Sequence, residues 1–130
     1  MAGSRRYPVG AELVRNGVHF RVWAPERRKV TVVLESGTGS LPLLAEGSGY
    51  FCGTIPGVGA GTRYRLELDG GEAFPDPASR FQPEGPHGPS EVVDPSRFTW
   101  SDTNWPGAAL PGQVIYEMHI GTFTPEGTWT

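Results

Sequence analysis

The amino-acid sequence predicts an all-β fold, an immunoglobulin-like antiparallel β-sandwich, on three observations. Six or seven short runs over residues 7–94 alternate apolar and polar side chains with a period of two, at a spacing of about ten residues. The 19 glycines and 13 prolines make up about a quarter of the chain, which suits tight turns and disfavours long helices. No segment carries a convincing helical period.

The elements follow in order. Residues 1–6 read as an unstructured lead-in. Residues 7–13, punctuated by Pro8 and Gly10, form a short edge segment, and Asn16-Gly17 is a turn signal. In Val18-His19-Phe20-Arg21-Val22-Trp23 the alternation places Val18, Phe20 and Val22 on the core face and His19, Arg21 and Trp23 on the other, with Ala24-Pro25 as the stop. A second run, rich in β-branched residues, turns Val30, Val32 and Leu34 inward. Ser40-Leu41-Pro42-Leu43-Leu44 reads as one edge piece, because Pro42 has no donor for a central ladder. Over residues 50–55, Phe51 and Ile55 share one face and Tyr50 and Cys52 the other, and the pattern leaves open which of the two is the core face. The glycine-dense turn over residues 56–61 is not a phosphate-cradling loop, since neither a helical pattern nor a lysine follows at the spacing that chemistry needs. In residues 62–69, Tyr64, Leu66 and Leu68 point inward, Arg63, Arg65, Glu67 and Asp69 face water, and Asp69-Gly70 closes the run.

The next stretch changes character. Residues 73–96 carry many prolines and glycines together with Phe74, Phe81 and Arg80, and read as an ordered connector laid over a surface. Residues 91–95 suit a short strand, and residues 98–105, with Phe98, Trp100 and Trp105, an aromatic clasp. Residues 113–123 form a further strand in which Val114, Tyr116, Met118 and Ile120 share a face. A largely buried strand needs neighbours, and only seven residues follow it, so the chain is expected to be the N-terminal part of something longer.

Charge and cysteine usage narrow the classes. Eleven basic against 14 acidic side chains give a formal charge of -3, so no nucleic-acid partner is expected. No apolar run reaches the length of a membrane span, so neither a membrane partner nor a secretory leader is expected, and a cytoplasmic location follows. The single Cys52 reads as a small buried side chain. The three histidines and one cysteine lack zinc spacing, and neither a metal nor another cofactor is expected.

At this point the residues carry a resemblance. Gly17 followed by Val18-His19-Phe20-Arg21-Val22-Trp23-Ala24-Pro25 resembles the opening strand of the N-terminal sandwich in branching, debranching and trehalose-releasing enzymes of glycoside hydrolase family 13, the module called carbohydrate-binding module family 48. Leu68-Asp69-Gly70 and Asp76-Pro77 are similar to it as well, and the resemblance spans residues 9–94. Tyr116-Glu117-Met118-His119-Ile120-Gly121-Thr122-Phe123 resembles the first strand of the (β/α)8 barrel in the same enzymes. Residues 76–90 and 121–129 are similar to the connector and post-strand sequence of the trehalose-releasing members, which branching enzymes match less well. The resemblance implies a sandwich over residues 7–94, a connector over 95–112 and the start of a catalytic barrel over 113–130. It implies a parent hydrolase that cleaves the α-1,4 bond next to the trehalose unit of maltooligosyltrehalose. The Asp nucleophile, the Glu acid/base and the stabilising Asp of such enzymes lie on later barrel strands, so no catalytic residue is assigned within residues 1–130, and the chain alone is expected to be inactive.

Four residues are candidates for touching carbohydrate. Trp23, with Tyr50 and Tyr64 behind it, offers ring faces that can stack on a pyranose. The competing reading packs Trp23 against the connector or the barrel. His119 lies at the carboxyl end of the barrel-like strand, where substrate binds in such barrels, or else is an ordinary packed strand histidine. The expected partners are maltooligosyltrehalose or another α-glucan and the chain's own C-terminal barrel. A freestanding glucan-binding or structural module, and a branching or debranching parent, are the rival readings.

Overall fold

The computed structural model describes residues 5–37 and 39–129, and the chain forms two units, Met1–Phe98 and Thr99–Thr130. The strands of the first are β1 (Gly10–Val14), β2 (Gly17–Trp23), β3 (Val30–Leu34), β4 (Ser40–Pro42), β5 (Leu44–Gly47), β6 (Tyr50–Pro56), β7 (Arg63–Leu68), β8 (Ala73–Phe74) and β9 (Ser90–Glu91). One sheet has the order β1-β2-β6-β5 and the other β4-β3-β7-β8, with β9 also paired to β7. Every pairing is antiparallel.

The period-two alternation becomes a two-layer core. Val18, Phe20 and Val22 of β2 and Phe51 of β6 meet Val30, Val32 and Leu34 of β3 and Tyr64 and Leu66 of β7. Phe20 and Tyr64 join the layers edge to face at 4.9 Å between ring centroids. Burial of each large apolar side chain contributes about 1.5–3 kcal/mol, most of it offset by chain ordering. Register settles the strand that alternation left open: Val22 pairs with Phe51, so Tyr50 and Cys52 point outward beside Trp23 and Arg21.

Several sequence expectations change. Residues 40–44 are not one strand. β4 pairs with β3 in one sheet and β5 with β6 in the other, and Leu43, 6% exposed, lies between them with its N–H donating to the Val30 carbonyl at 2.8 Å. Pro42 cannot extend the first ladder as a donor, and driving Leu43 into the core carries the chain across the layers. Gly53 makes room for this crossing: a Cβ there would sit 2.9 Å from Leu41 Cδ2 and 3.0 Å from Leu43 Cδ2.

The connector, expected to lie over a surface, instead enters the core at three points. Asp76, Ser90 and Val92 are buried, and β8 and β9 both add to β7. The Tyr64 hydroxyl donates to Asp76 Oδ2 at 2.7 Å, the Asp76 N–H donates to Ser90 Oγ at 2.9 Å, and the Ala78 N–H donates to Asp76 Oδ1 at 2.8 Å. Burial pushes the Asp76 carboxyl above the usual carboxylate range, against the opposing pull of these two donors. The Tyr64 hydroxyl is pushed far up by burial and then by the neighbouring carboxylate.

Of the lead-in expected over residues 1–6, residues 1–4 lie outside the described residues, whereas Arg5 and Arg6 are hydrogen-bonded to the sandwich. Thr38 is also outside them.

In the second unit, residues 113–119 have no ladder, and residues Ile120–Phe123 form a single helical turn, α1. The strand expected over 113–123 is therefore absent here. A strand is defined by hydrogen bonds to a neighbour, and none of the described residues supplies one; Val114 is 92% exposed. Among the described residues no helix is long and apolar enough to cross a membrane.

Replacing Tyr64 by Phe removes one donor from a buried carboxyl while keeping the ring. Tyr64→Phe is expected to lower stability by about 1–3 kcal/mol, read from urea unfolding with an unchanged m-value. A loss below about 0.5 kcal/mol would mean that the Tyr64–Asp76 contact is dispensable.

Candidate functional site

The outer face of the β1-β2-β6-β5 sheet gathers the polar and aromatic side chains that alternation excludes from the core. Register sets their neighbours: Trp23 lies opposite Tyr50, Arg21 opposite Cys52 and His19 opposite both Glu12 and Thr54. Leu44 of β5 lies on the far side of Cys52.

Trp23, at the end of β2, is 58% exposed. Its indole N–H donates to the Ser48 carbonyl at 3.2 Å, which fixes the ring against the turn before β6. That turn passes unusually close to Pro25. Gly49 has φ +80, a Cβ on it would lie 2.6 Å from Pro25 Cβ, and its carbonyl accepts from the Ala24 N–H at 2.8 Å. Beside the ring runs a shallow groove of about 330 Å³, lined by Trp23, Ala24, Pro25, Glu26, Arg27 and Leu68. Its wall is held from below by Asp69, whose Oδ1 accepts from the Arg28 and Lys29 N–H groups at 2.9 Å each. Those two donors hold the Asp69 carboxyl below its ordinary value.

Tyr50 is half-buried, and one of its ring faces is taken. The Arg21 guanidinium lies 3.9 Å above the ring centroid, donates from Nη1 to the Pro8 carbonyl at 2.6 Å and pairs through Nε with Glu46 Oε2. Cys52 is partly buried. Burial, followed by the neighbouring Glu46 carboxylate, pushes its thiol up, which disfavours the thiolate.

Trp23 and Tyr50 are therefore brought together on this face, and Tyr64 is not. Tyr64 is 1% exposed, with its ring on Phe20 and its hydroxyl on Asp76, so no face remains for a sugar. This corrects its reading as a stacking residue: the alternation that turns Leu66 inward turns Tyr64 inward with it. His119 belongs to the second unit, where it precedes α1, its carbonyl accepts from the Thr122 N–H and hydroxyl, and its ring lies against Gly121. The sequence did not single out Glu46 or Ser48. Glu46 is aimed by the register shift between Ala45 and Gly47, and Ser48 contributes only its backbone carbonyl.

The arrangement is a ring with an exposed face, an adjoining and largely apolar groove that includes Glu26 and Arg27, and a fixed cation, which suits stacking and hydrogen bonding. Among the described residues no group of three or more His, Cys, Asp or Glu is placed to hold a metal ion.

Comparison with known proteins bears on the whole first unit. The family profile described as carbohydrate-binding module 48, isoamylase N-terminal domain, matches residues 8–95. The chain belongs to this family. Beyond the module, the chain is 45% identical over 120 residues, 92% of its length, to a malto-oligosyltrehalose trehalohydrolase from Saccharolobus solfataricus, and 43% identical over 127 residues, 98% of its length, to one from Deinococcus radiodurans. It covers 21% and 20% of those two proteins, so it spans about one fifth of the curated relatives it matches. Among solved structures it is similar to a Salmonella typhimurium protein described provisionally as an alpha amylase, with 45% identity and a TM-score of 0.74 over 93% of this chain and 20% of that one. It is also similar to a Klebsiella pneumoniae pullulanase complexed with maltotriose, at 26% identity and a TM-score of 0.59 over 68% of this chain and 10% of that one.

Arg21 joins β2, β5 and the segment before β1. Arg21→Met keeps the aliphatic stem on Tyr50 and removes the cation and its donors. A loss of about 1 kcal/mol is expected, part of which disappears in wild type at high salt. Equal stability of the two proteins in denaturant titrations would show that these contacts are decorative.

Proposed function

We propose that the chain is the N-terminal part of a glycoside hydrolase that releases trehalose from maltooligosyltrehalose by cleaving the α-1,4 bond next to the trehalose unit. The observation that carries the reading is where the similarity ends. The family match stops at residue 95, whereas identity of 43% to the Deinococcus radiodurans trehalohydrolase runs over 127 residues. The match to that trehalohydrolase thus extends into the Thr99–Thr130 unit, and a weaker match to a branching enzyme, over 88% of this chain, extends into it as well. A 1,4-alpha-glucan branching enzyme from Ralstonia nicotianae is 34% identical over its matched length.

In this reading residues 95–112 connect the module to a catalytic barrel and residues 113–130 supply its first strand. The catalytic carboxylates come from the rest of the barrel, and the reaction takes place in the cytoplasm. The module's work is to position the barrel or the glucan, with Trp23 as the contact whose ring face is available and Tyr50 as its support. His119 faces the barrel's substrate end.

Two measurements test this. The full-length protein incubated with maltooligosyltrehalose is expected to release free trehalose, and the 130-residue chain alone none. Branched glucan products, or debranching without trehalose, would assign the parent to another reaction. For the module, Trp23→Ala is expected to weaken maltooligosaccharide binding to the 130-residue chain by about tenfold, the effect of losing one stacked ring worth roughly 1.4 kcal/mol. Equal binding by both proteins rejects stacking at Trp23, and absent binding in both leaves the module an interdomain role.

A further inference from the structure

The segment Arg5-Arg6-Tyr7-Pro8, just before β1, is held to the sandwich largely by charged side chains. Arg5 donates from Nη2 to the Gly10 carbonyl at 2.7 Å, from Nη1 to the His19 carbonyl at 3.2 Å, and from Nε to the Tyr7 carbonyl at 3.0 Å. The same Nη1 is in hydrogen-bond contact with His19 Nδ1. Glu12 of β1 accepts from the Arg6 N–H at 2.7 Å and the Tyr7 N–H at 3.3 Å. Arg21 holds the Pro8 carbonyl, and Arg80 covers the Tyr7 ring at 3.9 Å.

Above the carboxylate range, one of these contacts depends on a proton. A guanidinium has only donors and stays charged, so His19 Nδ1 must offer its lone pair, which places the single ring proton of neutral His19 on Nε2. Protonation turns Nδ1 into a donor and sets two cations at hydrogen-bond distance. The carbonyls that share the work do not titrate.

We propose that His19 is an acid-operated latch: while its ring is neutral it holds Arg5 and keeps residues 5–8 on the sandwich, and its protonation frees that arm, leaving Arg21 over Tyr50 without its Pro8 acceptor.

The surroundings favour the neutral ring. Burial holds His19 below its ordinary value near 6.5, Arg5 from the arm adds to this, and so does Arg21 from β2, while Glu46 from β5 and Glu12 from β1 oppose them. Cys52 and Tyr50 of β6 are further titratable groups on this face, and Arg80 adds its charge to the field around Arg5. The sign follows from the lowered value. Above about 6.5 the ring is neutral with the arm on or off, and attachment is at full strength. As pH falls below that, only the free form is protonated at first, so attachment weakens, and the loss is complete once pH has passed through the attached form's lower value.

The experiment is backbone NMR relaxation of this chain between about pH 7 and pH 4.5, with the His19 ring titrated in the same samples. In wild type the order parameters of the Arg6 and Tyr7 amides are expected to fall from about 0.85 to below about 0.6, with a midpoint matching the ring's titration, while β2 and β6 stay ordered. In His19→Asn, which keeps an acceptor near the Nδ1 position but does not titrate, the arm is expected to stay ordered throughout. Reciprocity supplies a second readout: Arg5→Met should raise the His19 pKa toward about 6.5. An arm that stays ordered down to the carboxylate range, about 4, overturns the latch. So does an arm that loosens at the same pH in His19→Asn, or a His19 pKa unmoved by Arg5→Met.

Discussion

The buried contact between the Tyr64 hydroxyl and the Asp76 carboxyl is the constraint on which much of the first unit depends. A carboxyl that is 4% exposed is tolerable only when its oxygens are used, and both are: one accepts from the Tyr64 hydroxyl, the other from the Ala78 N–H. Satisfying Asp76 fixes the backbone on either side of it. Its own N–H is committed to Ser90, which brings the two ends of the proline-rich connector together and sets β9 on β7. From there Arg80 reaches the Ala11 carbonyl of β1 and the Tyr7 ring. One hydrogen-bonded pair in the core thus determines how residues far apart in sequence close one side of the sandwich.

The outer face inherits its rigidity from that core. Trp23 and Tyr50 are neighbours because Val22 and Phe51 are neighbours one residue away, on the opposite side of the same ladder. A ring placed in this way keeps little conformational freedom to lose on contact with a flat partner, and its N–H is already committed to Ser48. Arg21 plays the same part for Tyr50, with its guanidinium held between Glu46 and the Pro8 carbonyl.

Much of this could be read from the residues and some could not. Alternation alone identified Val18, Phe20, Val22, Val30, Val32, Leu34, Tyr64 and Leu66 as inward-facing, because a period of two has a single physical reading when one face is buried. The same signal placed Tyr64 in the core while its chemistry suggested a surface role, and burial decided between them. Alternation could not find the crossing at Leu43, because a change of sheet shifts partners without disturbing the local pattern. Nor could it find Asp76, whose burial depends on a hydroxyl 12 residues away and a serine 14 residues away. The apolar pattern of residues 113–123 has a strand's period, yet a period specifies a face and not a partner, and among the described residues 113–119 join no ladder while Ile120–Phe123 turn helically.

The crossing at Leu43 has a further consequence for how the molecule meets its own copies. Because β4 and β5 are consecutive and lie at the rims of different sheets, each is short: β4 has three residues and carries Pro42, and β5 has four with an irregular register. At the opposite rim, the Gly10 and Ala11 carbonyls of β1 are taken by the guanidinium groups of Arg5 and Arg80, and β8 and β9 share the outer side of β7 as two-residue pieces. Intermolecular strand addition needs a long, regular row of free donors and acceptors. The described rims are broken by proline, irregular register, arginine or brevity, so the sandwich is guarded against growing into a continuous sheet between molecules.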